Sequence, residues 1–151
     1  MFEVVMKKTT VSGQIWLCLF LGVMSLSLAQ NVARLITPEL LKQAQDMYGE
    51  HMQAELNQWG SMVEASADLS ELQRLKQVNL YFNQRLKFVS DQSHWRQEDY
   101  WATPLESLGT QAGDCEDYVI AKYFSLIQSG IAESKLRITY VKAMKLNQAH
   151  M

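Results

Sequence analysis

The sequence predicts an α+β fold in which helices come first and an antiparallel sheet comes last. Apolar residues recur every three or four positions between residues 37 and 90, a spacing typical of amphipathic helices. After residue 136 the pattern changes to an alternating, β-rich one. The length of 151 residues fits one domain, and the net charge of −2 provides no basic surface for nucleic acid.

The N-terminal segment has the three parts of a secretory signal peptide. Lys7 and Lys8 are its basic region, and Ile15 to Leu28 is apolar but short for a membrane span. Ser27-Leu28-Ala29 then offers a small-x-small cleavage site. We therefore predict a signal peptide over residues 1–29 and a domain over residues 30–151. An uncleaved membrane anchor is the competing interpretation, which the Ala29 site disfavours.

Local start and stop signals define the first helices. Thr37-Pro38-Glu39 is a helix start, and an apolar stripe continues to about Trp59, although Gly49 weakens its middle. Residues 60–67 are small and polar and predict a loop or a frayed turn. Asp68-Leu69-Ser70-Glu71 offers a capping box for a second helix that ends near Ser90, and a short turn or helix follows over residues 104–108.

A further helix begins at Cys115. Asp114 is a suitable N-cap, apolar residues follow at helical spacing, and Gly130 is a suitable stop. The free N–H groups and the dipole of a first turn favour a thiolate. Since Cys18 would leave with the signal peptide, Cys115 would be a lone cysteine in an exported chain. Such a cysteine has no disulfide partner within the chain and is a candidate for a functional thiol.

Three carboxylates surround that cysteine. Asp114, Glu116 and Asp117 lie within two residues of it, and their charges should raise the pKa of the thiol unless they are neutralised. A hard cation such as calcium would neutralise them. Acidic residues in a first turn also complement the helix dipole without any metal, and the residues themselves leave both interpretations open.

A histidine close to the last residue could complete a catalytic pair. Leu136 to Val141 predicts a strand that Lys142 to Met144 continue, and residues 149–151 begin a second strand after a turn. If the sheet packs against the helix, His150 could serve as general base for a Cys115 nucleophile.

The segment around Cys115 resembles the nucleophile segment of the bacterial transglutaminase-like cysteine proteinases, the LapG-type periplasmic peptidases. The resemblance is clear from about Tyr100 onward, and the helices upstream are consistent with it. It is carried by Trp101-Ala102-Thr103-Pro104-Leu105-Glu106, Gly113-Asp114-Cys115-Glu116-Asp117-Tyr118 with Ile120-Ala121-Lys122-Tyr123, Leu136-Arg137-Ile138-Thr139-Tyr140-Val141, and Asn147-Gln148-Ala149-His150-Met151.

The resemblance implies a papain/transglutaminase-like core, with the nucleophile helix packed on an antiparallel sheet. It implies a periplasmic, calcium-dependent cysteine endopeptidase that clips a large surface adhesin and so disperses biofilm. Cys115 and His150 would be catalytic, and Asp114 and Glu116 would bind calcium, with Asp117 as a further candidate ligand. It also implies an inner-membrane cyclic-di-GMP receptor that sequesters the protease.

One departure from the family pattern affects the expected activity. The family's orienting aspartate lies on a strand beyond the histidine, and no residue of this sequence occupies that position. We therefore expect an incomplete sheet, and a C-terminally truncated form with low activity or none, because a triad without its aspartate loses several orders of magnitude in rate.

Two other functional interpretations stay open. The chain could be a non-catalytic calcium-binding or protein-interaction module, or an exported helical domain whose thiol is merely buried. The sequence also leaves open whether a catalytic Cys115 would transfer the acyl group to water or to an amine.

Overall fold

A computed structural model describes residues 36–144 and 148–151. The predicted signal peptide lies outside the described residues. The described elements, in chain order, are α1 (Pro38–Tyr48), α2 (His51–Ser66), α3 (Glu71–Arg85), β1 (Lys87–Phe88), α4 (Asp91–His94), α5 (Pro104–Thr110), β2 (Ala112–Gly113), α6 (Cys115–Gln128), a 3-10 turn (Glu133–Lys135), β3 (Val141–Ala143) and β4 (Gln148–His150).

The first predicted helix is two helices. The Thr37 hydroxyl caps α1 by accepting the Leu40 N–H at 3.1 Å, as the sequence predicted. Gly49 then has a φ of 100°. This left-handed conformation ends α1, because glycine adopts it without the steric cost of a Cβ atom. The single helix predicted up to Trp59 is therefore wrong at Gly49.

Two helix ends also differ from the prediction. Residues 60–66 continue α2 instead of forming a loop, because Met62 and Val63 pack into the core and hold the last turns. The next helix, α3, ends at Arg85 and not near Ser90. Leu86 is already extended, and the chain then enters β1.

Strand β1 pairs in parallel with β2, a contact that the sequence did not predict. Lys87 lies opposite Ala112, and Phe88 opposite Gly113. The flanking N–H groups of Lys87 and Val89 donate to the carbonyls of Gln111 and Gly113 at 2.9 and 3.0 Å. These bonds fix the position of the chain that leads into α6.

The core lies between α2, α3, α5 and α6. Its fully buried members include Met52, Val63, Val78, Phe82 and Leu108. One buried hydrogen bond crosses it, from the Trp59 indole N–H to the Ser125 hydroxyl at 2.8 Å. This bond ties α6 to α2 within the apolar core.

The described part of the second sheet is a hairpin. Strands β3 and β4 are antiparallel, with Val141 opposite His150 and Ala143 opposite Gln148. The strand predicted from Leu136 begins only at Val141, because within the described residues only β4 pairs with it and β4 has three residues. The predicted α+β class with an incomplete sheet is confirmed. Among the described helices, none has both the length and the apolar character needed to cross a membrane.

Candidate active site

Cys115 is the first residue of α6, as the sequence predicted. The preceding strand β2 delivers it, and Gly113 lets α6 approach that strand closely. A Cβ atom at Gly113 would lie 2.6 Å from Asp117 Oδ2 and 2.7 Å from Asp117 Cβ. Only glycine leaves room for this packing, so the position of the thiol depends on Gly113 and Asp117 together.

Asp117 connects the start of α6 to the segment at Ala102. Its side chain is fully buried, and it accepts the Ala102 N–H at 2.8 Å and the Asp114 N–H at 3.2 Å. Burial raises the pKa of Asp117, and these two N–H donors partly offset the rise. The sequence indicated Asp117 as a possible metal ligand. In the structure its carboxylate anchors the Trp101–Thr103 segment to the start of α6.

The Cys115 thiol faces two opposing influences. It donates to Glu116 Oε2 at 2.9 Å and is partly buried. Burial, followed by this hydrogen bond, raises the pKa of the thiol, whereas a hydrogen bond from the Met151 backbone N–H lowers it. The net direction is upward, as the three neighbouring carboxylates led us to expect.

The same Met151 contact brings the end of β4 to the sulfur. For His150 the structure describes the backbone, which lies opposite Val141 in the hairpin and directly before Met151. The chain segment that carries the predicted base therefore reaches the predicted nucleophile. This juxtaposition joins two residues that are far apart in the sequence.

A cluster of five carboxylates lies beside the thiol. The carboxylate oxygens of Asp91, Asp114 and Asp117 lie within 4.8 Å of one another, and so do those of Asp91, Asp99 and Glu116. Asp91 is only 3% exposed. Oδ1 of Asp91 and Oδ1 of Asp114 are buried without a hydrogen-bond partner. Unpartnered buried carboxylate oxygens are costly and suit a hard divalent cation.

The electrostatics of this cluster agree with that interpretation. Burial, together with a hydrogen bond to Glu116 and its charge, raises the pKa of Asp114 to about 7. For Glu116, burial is outweighed by hydrogen bonds from Cys115 and other neighbours, so its pKa is lowered. With a pKa of about 7, Asp114 is only about half ionised at neutral pH, and a bound cation would favour its ionised form.

Asp91 and Asp99 were missed from the sequence. They lie on the segment between β1 and α5, far from Cys115 along the chain, and no local spacing connects them to it. The structure holds this segment by two contacts, in which Asp91 Oδ2 accepts the Tyr100 N–H at 2.6 Å and Tyr100 Oη donates to Glu106 at 2.6 Å. The only early signal was a cluster of acidic and aromatic residues between positions 91 and 101.

The chain is similar to known cysteine proteinases. A family model described as bacterial transglutaminase-like cysteine proteinase, BTLCP, matches residues 44–151. No curated protein is significantly similar in sequence. Among solved structures, Legionella pneumophila LapG is 35% identical with a TM-score of 0.63, over 74% of this chain and 61% of that chain.

Two further LapG structures from Legionella pneumophila differ in treatment. The EGTA-treated form is 35% identical with a TM-score of 0.63, over 74% of this chain and 59% of that chain. The calcium-bound form is 33% identical with a TM-score of 0.63, over 76% of this chain and 63% of that chain. The chain thus spans less than two thirds of the length of these relatives.

Proposed function

Since this chain belongs to the family of bacterial transglutaminase-like cysteine proteinases, we propose that it acts as an exported cysteine endopeptidase or as the larger part of one. The observation that carries this proposal is the meeting of two segments at one sulfur. Cys115 opens α6, and the Met151 backbone, next to His150, lies near enough to Sγ to lower the pKa of the thiol.

In this proposal Cys115 is the nucleophile and His150 is the general base. The imidazole takes the thiol proton, and Sγ forms a bond to the carbonyl carbon of the scissile peptide. The proton then passes to the leaving amine as the C–N bond breaks, which leaves a thioester on Cys115. Water hydrolyses the thioester with the same imidazole as base. Backbone N–H groups of the first turn of α6 would donate to the developing oxyanion.

The carboxylate cluster supports a role for calcium. One related structure is the calcium-bound form of Legionella pneumophila LapG. Here Asp114, Glu116, Asp91 and Asp99 would hold the ion, because their oxygens converge and two of the buried ones lack partners. Bound calcium would neutralise the carboxylates and so lower the pKa of the Cys115 thiol. Asp117 would continue to hold the segment at Ala102.

The family resemblance extends the proposal to location and partners. We place the chain in the periplasm after removal of residues 1–29. Its substrate would be a large surface adhesin, whose release from the cell disperses a biofilm. An inner-membrane receptor for cyclic di-GMP would sequester the protease. The resemblance in sequence and fold supports these assignments.

The test compares the reactivity of Cys115 with peptidase activity. The chain that begins at Gln30 is used in both assays, with calcium or with EGTA. The rate of iodoacetamide labelling measures the reactivity of Cys115, and cleavage of an N-terminal adhesin fragment measures peptidase activity. We expect faster labelling in calcium, and at most slow cleavage, which Cys115→Ser abolishes. His150→Ala should slow both reactions, whereas His51→Ala, at an exposed helix end, should change neither. Equal labelling rates for His150→Ala and wild type would contradict the proposed base.

Two observations favour a second candidate function. Without a cation the pKa of the thiol is raised, and the chain covers 61% of the LapG chain. A calcium-binding module without catalysis would fit both facts. It would bind calcium by calorimetry with wild-type affinity in Cys115→Ser, and it would leave the adhesin fragment intact.

A further inference from the structure

Glu55 is a buried carboxylate that does not belong to the acidic cluster beside Cys115. It lies on α2 and is only 8% exposed. Its Oε1 accepts the Gln111 side-chain N–H at 3.2 Å, and its Oε2 accepts an Arg85 guanidinium N–H at 3.3 Å. A buried carboxylate is costly unless it is paired and hydrogen-bonded, so Glu55 holds both partners close to α2.

The two partners of Glu55 lie where the paired strands begin. Arg85 is the last residue of α3, and β1 begins two residues later at Lys87. Gln111 directly precedes Ala112, the first residue of β2. Because β1 and β2 are parallel, their first residues meet at the same end of the pair. Glu55 therefore links the starts of both strands through its side chain.

The backbone of Gln111 needs support at this point. Its φ of 53° lies in the left-handed region, which is unfavourable for a residue with a Cβ atom and which glycine adopts more easily. In this conformation the Gln111 carbonyl accepts the Lys87 N–H at 2.9 Å, the bond with which the strand pairing begins. The Gln111 side chain meanwhile reaches Glu55. Glycine could not make that second contact, because it has no side chain.

We propose that Glu55 is a positioning residue for Cys115. It acts through the two strands, since β2 leads to Cys115 and β1 leads to the acidic segment, residues 91–99. While Glu55 holds the strand starts together, the thiol and the acidic segment keep their relative positions. Any effect on peptide cleavage rests on the proposed function, whereas the placement of the thiol requires no turnover.

The test removes each end of the Glu55–Gln111 hydrogen bond in turn. In the chain that lacks the predicted signal peptide, Glu55→Ala and Gln111→Ala should speed hydrogen exchange of the Lys87 and Val89 amides several-fold, because these N–H groups form the strand pairing. Labelling of Cys115 by iodoacetamide in EGTA should also become several-fold faster, since the partly buried thiol would be less covered. Gln111 is exposed, so Gln111→Ala tests the proposal even if Glu55→Ala leaves the chain unfolded.

Glu55→Gln is the control for charge. It removes the negative charge, but the new amide can still pair with the amide of Gln111, because each offers an oxygen and an NH₂ group. The exchange and labelling rates should therefore stay near those of the wild type. If Glu55→Gln changes them as much as Glu55→Ala does, the charge and not the hydrogen bond controls the thiol, and the proposal is overturned.

Two further comparisons separate positioning from general stability. The amides of Val78 and Phe82, fully buried residues of α3, report unfolding of the whole domain. Equal acceleration of their exchange would show that Glu55 only stabilises the fold, and would overturn the proposal. The double variant Glu55→Ala/Gln111→Ala should resemble Glu55→Ala, because both lack the same bond, and additive effects would contradict this. Unchanged exchange of the Lys87 amide in Gln111→Ala would likewise overturn the proposal.

Discussion

Exchanging Asp117 and Asp114 for asparagine in turn separates anchoring from cation binding at one cluster. In Asp117→Asn the amide oxygen can still accept the Ala102 N–H. The NH₂ group, however, cannot accept the Asp114 N–H, so that hydrogen bond is lost. The lost bond is to a charged group and is worth about 1.5–3 kcal/mol. Relief of carboxylate burial offsets part of this cost, because burial raises the pKa of Asp117. We expect a net loss of about 1–2 kcal/mol.

Asp114→Asn is the matched control, because it makes the same exchange in the same cluster. Asp114 Oδ1 has no hydrogen-bond partner, and burial raises the pKa of this side chain to about 7. A neutral amide relieves repulsion from Glu116, so stability in EGTA should stay level or rise. Calcium binding, in contrast, should weaken far more in Asp114→Asn than in Asp117→Asn.

Urea unfolding in EGTA, followed by circular dichroism, measures the first effect, and calorimetric calcium titration measures the second. The m-value should stay constant, so that a change in midpoint reports stability. The reasoning is refuted if Asp117→Asn is as stable as wild type while Asp114→Asn unfolds at lower urea. That outcome would make Asp114 the anchor and leave Asp117 to the cation.

Three other perturbations have defined outcomes. In EGTA, stability should fall as pH rises from about 4 to 7. The cause is Asp114, which has a pKa of about 7 in the folded state against an ordinary 3.8 and so binds more protons there than in the unfolded state. Urea midpoints at several pH values measure this dependence, and Asp114→Asn should flatten it. Gly109→Ala places a Cβ atom 2.5 Å from the Tyr48 ring and should cost about 1–3 kcal/mol; in a Tyr48→Ala background that cost should disappear, and additive urea midpoints would contradict the steric cause. Ser125→Ala removes the acceptor of the buried Trp59 N–H and should cost about 1–3 kcal/mol in urea unfolding, with a change in tryptophan emission; an unchanged midpoint would show that this bond is not needed.

Local chemistry in the sequence was enough to locate several elements. Thr37 and Pro38 start α1, Asp114 precedes α6, and Gly130 with its φ of 91° follows the end of α6. Each of these signals acts within one helical turn, through a cap or a backbone conformation. The family resemblance, which the match to residues 44–151 confirms, was likewise carried by short stretches.

Other features depended on contacts that are distant in sequence. The polar-looking stretch after Gly60 stays helical because Met62 and Val63 meet the core. The helix before Leu86 ends early because β1 finds a partner at Ala112 and Gly113. For the same reason Asp91 and Asp99 could not be assigned to the acidic cluster, since the fold alone brings them to Glu116.

The two-residue pairing of β1 with β2 fixes the position of Cys115 relative to the acidic segment. The segment with Asp91 and Asp99 follows β1. Cys115 follows β2 and lies two residues after Gly113. Slipping the register by a single residue would shift one side against the other by about 3.3 Å and would turn alternate side chains to the opposite face. Reaction geometry tolerates far less, about 1 Å. The register of the pair can change only in whole-residue steps. Only one register therefore aligns the sulfur with the carboxylates.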